Sequence, residues 1–120
     1  MIAGFELGCR APFAVRHERV GSRRGAAWRL LYASDLHLTE RRAFLVAQLV
    51  AAAHRERPHT VLLGGDLVDR ANGLPILADA VRALAATAPV AVVAGNHDAW
   101  FGIERVRTAI ASGGGHWLAD

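Results

Sequence analysis

The apolar run Pro89-Val90-Ala91-Val92-Val93-Ala94 stops at Gly95-Asn96-His97-Asp98. An amide, an imidazole and a carboxylate in succession make a costly end for a buried strand, because each loses hydration unless it gains a partner. Two earlier runs end the same way: residues 28–34 pass into Asp35-Leu36-His37, and residues 60–63 pass into Gly64-Gly65-Asp66. Asp66 follows Asp35 by 31 positions and Asn96 follows Asp66 by 30, each about one strand–helix–strand unit. Strands alternating with helices predict an α/β fold, a parallel βαβαβ sheet with right-handed crossovers. Such a sheet gathers the three polar clusters at its carboxyl edge, where open α/β sheets bind ligands.

The intervening segments fit that layout. Leu45, Leu49 and Ala52 keep helical spacing and predict a helix over residues 40–57, with Thr39 as its N-cap and Pro58 as its stop. Leu77, Ala80, Val81 and Leu84 predict a second helix beginning near Pro75, after an Asn72-Gly73 loop. A third covers residues 103–110 and closes at Gly113-Gly114-Gly115, after which His116-Trp117-Leu118 opens a fourth strand. The central runs read as strands buried on both faces. Ahead of them residues 1–11 show no period, and residues 13–20 read as an edge strand with imperfect alternation. The organisation expected is a basic segment over residues 1–27 followed by one domain over residues 28–120.

Composition narrows the class. A hydrophobic share of 52% in 120 residues supports one folded core and argues against disorder. No apolar run reaches the roughly 18 residues of a membrane span, and the first residues lack the basic start of a secretory signal. A lone Cys9 makes no internal disulfide. A cytoplasmic location is therefore expected. All fourteen basic side chains are Arg, and six of them precede Asp35 against Glu6 and Glu18 alone. That imbalance leaves contact with nucleic acid or an anionic membrane surface open, beside the simpler reading of a solvated basic tail.

Carboxylate, imidazole and amide oxygens suit a divalent ion such as Mn, Fe, Zn or Mg. Two such ions can activate water and hold the oxygens of a phosphate, while an unligated His protonates the leaving oxygen. Plainer roles exist for each residue. Asp35 and His37 suit a helix cap, Asp66 an Asx turn, Asn96 and His97 a simple turn, and Asp69 with Arg70 a surface ion pair.

Taken together, Ser34-Asp35-Leu36-His37-Leu38, Gly64-Gly65-Asp66-Leu67-Val68-Asp69-Arg70 and Gly95-Asn96-His97-Asp98 resemble the first three signature blocks of the calcineurin-like metallophosphoesterases, in order and in spacing. The continuation through Trp100 and Gly102 is similar to small bacterial phosphodiesterases of that superfamily. The resemblance implies the N-terminal half of a metallophosphoesterase sandwich acting on phosphate monoesters or diesters with two divalent metal ions. It implies Asp35 and His37 on the first ion, Asp66 bridging both, and Asn96 on the second. It further implies His97 as the acid at the leaving group, Asp69 as the residue that orients that His, and Arg70 as a phosphate contact. Ala71 stands where the phosphoprotein phosphatase branch has Gly. The family completes its site with three later His, and after Asp98 this chain has only His116, outside any such motif. A nuclease of the same superfamily, or a non-catalytic fragment that needs a partner chain, are the alternatives.

Overall fold

The computed structural model describes residues 2–6, 14–21 and 28–118, without the side chains of residues 2–6 and 97. Cys9, Arg10, Arg23 and Arg24 lie outside the described residues. Six strands form one sheet: β1 (Ile2–Glu6), β2 (Ala14–Glu18), β3 (Leu30–Ala33), β4 (Thr60–Leu63), β5 (Val90–Val92) and β6 (His116–Trp117). Their order is β2-β1-β3-β4-β5-β6. β2 runs antiparallel to β1, and the remaining neighbours pair in parallel.

Helices α1 (Phe44–Glu56), α2 (Gly73–Ala85) and α4 (Ile103–Ser112) connect successive parallel strands, and the six-residue α3 (Asn96–Phe101) sits between β5 and α4. From β3 to β6 the chain steps in one direction across the sheet, so right-handed crossovers put α1, α2 and α4 on the same face. Leu31, Val61 and Val90 meet Leu49, Leu77 and Ile110 there in one core. Each large apolar side chain buried in this way contributes roughly 2 kcal/mol.

The opposite face corrects an expectation. Leu30, Tyr32, Leu62 and Ala91 are half-buried, whereas their strand neighbours Leu31, Ala33, Leu63 and Val92 are fully buried. These strands are covered on one face by the helices and only partly on the other, among the described residues. Other boundaries shift for local reasons. A 3₁₀ turn at Glu40–Arg42 precedes α1, and Thr39 makes no side-chain cap. The Arg42 guanidinium donates instead to the Leu36 carbonyl at 3.1 Å, drawing this turn back over the end of β3. Gly73 begins α2 rather than sitting in a loop. β1 was invisible as a period: its register comes from its neighbours, with Gly4 opposite both Arg16 and Tyr32.

Candidate metal centre

Beyond β3 the chain keeps alternating. Leu36 and Leu38 are fully buried in the core, whereas Asp35 is exposed and His37 half-buried. After β4 the alternation breaks, with Leu67 and Val68 both fully buried. Backbone bonds zip the two extensions together: Asp35 N–H to the Gly65 carbonyl (3.0 Å), His37 N–H to Asp66 (3.0 Å) and Leu38 N–H to Leu67 (2.8 Å). Asp35, His37 and Asp66 are thereby brought to one place. A ligand atom from each lies within 4.8 Å of the other two.

Their backbone is unusual. Asp35 (φ 57°), His37 (φ 46°) and Asp66 (φ 51°) adopt the left-handed region, and the only other described non-glycine residue to do so is Arg57, the C-cap of α1. Side chains in that region cost energy, and such conformations concentrate where a site over-determines them. Three such residues in one cluster weigh against plain caps and turns.

Neighbouring groups hold the cluster. Asp69, expected behind His97, instead meets His37: its Oδ1 lies 2.7 Å from His37 Nδ1, and His37 Nε2 lies 3.9 Å from Asp35 Oδ1. With Nδ1–H donated to Asp69, the Nε2 lone pair faces the cluster, the arrangement that metal-binding imidazoles adopt. Asp98, the only buried charged side chain among the described residues, accepts three backbone N–H groups at 2.9 Å: Asp66 and Gly95 on Oδ2, and Leu67 on Oδ1. It fastens the loop after β4 to the one after β5. Close packing explains the glycines: a Cβ on Gly65 (φ 99°) would strike the Gly95 backbone, and one on Gly95 would strike Asp66.

Asn96 is exposed at the start of α3, one residue from that contact. His97 occupies the next position of α3, and its imidazole lies outside the described residues. Arg70 is exposed. The structure thus gathers Asp35, His37 and Asp66, sets Asp69 against His37, and opens α3 at Asn96. Asp98 was missed as an organiser of this site; its one sequence signal is its place three residues after a helix-opening Gly, where acidic residues reach back to the N-cap.

A family model described as calcineurin-like phosphoesterase matches residues 29–119. The chain belongs to this family. The matched span contains the three polar clusters and the whole of the fold from β3 to β6. Comparisons with curated proteins and with solved structures return no match. Two carboxylates and an imidazole, clustered and held from behind by Asp69 and Asp98, fit the divalent metal the family implies. Among the described residues, no helix is long and apolar enough to cross a membrane.

Proposed function

We propose that this chain carries the metal-binding part of a phosphoesterase that hydrolyses phosphate monoesters or diesters. The observation behind the reading is the convergence of Asp35, His37 and Asp66 in strained backbone conformations. Asp35 and His37 would hold one divalent ion, Asp66 would bridge it to a second, and the Asn96 amide oxygen would bind the second. Bound there, such ions supply an activated water and neutralise charge on the phosphate.

The protein groups do the rest. Asp69 keeps the His37 proton on Nδ1, so that the Nε2 lone pair is the one to ligate. Asp98 sets the Asp66 backbone. His97 gives a proton to the leaving oxygen. Supplied with manganese, the chain should release nitrophenolate from p-nitrophenyl phosphate or its bis ester, and lose that release on addition of chelator or in Asp66→Asn. Turnover that survives either treatment would reject the assignment.

The half-buried sheet face supports a second reading, in which the chain is inactive until another polypeptide covers Leu30, Tyr32 and Leu62. Metal binding without turnover by the isolated chain would favour this reading.

A further inference from the structure

Beside the metal centre lies a cavity of about 420 Å³ lined by Thr39, Glu40, Arg41, Arg70 and Asn72. Its two walls are the continuations of the metal-bearing loops. Residues 39–41 follow His37 and residues 70–72 follow Asp69, and His37 and Asp69 meet at 2.7 Å. The Glu40 N–H donates to Asn72 Oδ1 at 3.3 Å, and the Asp69 N–H to the Leu38 carbonyl at 3.1 Å, which ties the walls together.

Elsewhere, Arg82 pairs with Asp79 at 2.8 Å, Arg107 with Glu104 at 3.2 Å, and Arg105 stacks on Phe101. Arg41 and Arg70 have no side-chain partner among the described residues, and Glu40 supplies the only carboxylate in the cavity. Two guanidiniums facing one concave surface next to a phosphate-type metal centre are suited to oxyanions, which they can bind in bidentate fashion.

We propose that this cavity, through Arg41 with Arg70, binds a second anionic group of the substrate, so that the preferred substrate is a phosphate ester carrying a further phosphate or carboxylate beyond the reacting one. The inference rests on the phosphoesterase reading for the words "substrate" and "reacting", but the anion site itself does not require metal. Volume agrees with the class: a few hundred Å³ accommodates a small anionic head.

The test separates the two claims. In the metal-free ¹⁵N-labelled chain, sodium phosphate is titrated at constant ionic strength while the Arg41 and Arg70 Nε–H resonances are followed. Saturable shifts are expected, with the dissociation constant raised on the order of tenfold in Arg41→Gln by loss of a charge-assisted contact, and lowered in Glu40→Gln by removal of the opposing charge. Shifts that sodium chloride reproduces, or an unchanged constant in Arg41→Gln, would overturn the site. In a second arm, at fixed free manganese, 1,3-propanediol bisphosphate should bind about tenfold more tightly than propyl phosphate, an advantage lost in Arg41→Gln. Equal affinities would overturn the two-anion preference. Failure of the chain to bind manganese would count against the phosphoesterase reading alone, since the metal-free titration judges the cavity independently.

Discussion

The Asp98 carboxylate receives the N–H of Asp66 at 2.9 Å across 32 positions of sequence, joining a fully buried charge to the backbone of a metal-type residue. Oxygens of the same group take the N–H groups of Leu67 and Gly95. Asp98→Ala would leave three N–H groups without their acceptor, and a loss of about 3 kcal/mol in urea denaturation is expected. Asp98→Asn should fall between wild type and Ala, because the amide offers one oxygen and turns two donors toward N–H groups. A loss below about 1 kcal/mol for Asp98→Ala would show that the buried charge is not holding the loops.

Asp69 is half-exposed, so its removal should spare the fold and act through His37. Asp69→Asn should weaken manganese binding by roughly 10–100-fold, the usual consequence of losing the partner behind a ligating imidazole. Calorimetric titration measures it. Affinity equal to wild type would mean that the His37 ring is positioned by other contacts.

Asp66 is proposed to touch both ions and Asp35 only one. Asp66→Asn should therefore cost more metal affinity than Asp35→Asn in the same titration, and equal losses would reject the bridge. The left-handed backbone at Asp35 adds a control on stability. Asp35→Gly should lose almost nothing, while Asp35→Val, with its branched Cβ, should cost more than about 1 kcal/mol. Equal stability of the two variants would deny that this conformation is strained.

At the other end of the sheet, His17 Nε2 lies 3.0 Å from Glu56 Oε1 and ties edge strand β2 to the last turn of α1. That hydrogen bond, with smaller help from Arg55 and against the opposing effect of burial, holds the Glu56 carboxyl below its ordinary 4.5. A depressed carboxyl pKa stabilises the fold above the unfolded value and loses that contribution as pH falls through the folded one. Wild type should thus lose stability relative to Glu56→Gln as pH drops below about 4.5, and the two should run parallel above it. Parallel curves throughout would remove the contact from the stability of β2.

The apolar runs that became β3, β4 and β5 were legible because glycine and charge punctuate them, and the clusters behind them had to lie at one sheet edge once the strands were parallel. The family assignment followed from the same residues. β1 was not legible, since Ile2-Ala3-Gly4-Phe5-Glu6 carries little strand preference of its own and is placed by its pairing with β2 and β3. Full burial of both sheet faces was inferred from hydrophobicity alone, which cannot say whether covering helices lie on one face or two. The left-handed conformations of Asp35, His37 and Asp66 leave no periodic trace, as they arise from the backbone bonds between two loops distant in sequence. Asp98 was read as one more member of a polar cluster, because sequence does not distinguish a carboxylate that faces a ligand from one that faces three amides.

Manganese binding to the ¹⁵N-labelled chain is the most direct test of the metal centre. Paramagnetic broadening should saturate and be strongest at Asp35, His37 and Asp66, reaching Asn96 and the start of α1 and fading toward β2. In His97→Ala the same pattern and stoichiometry should persist, as expected of a group that delivers a proton and does not ligate. Broadening that is absent, or centred on exposed carboxylates such as Asp79 and Glu104, would contradict the metal centre.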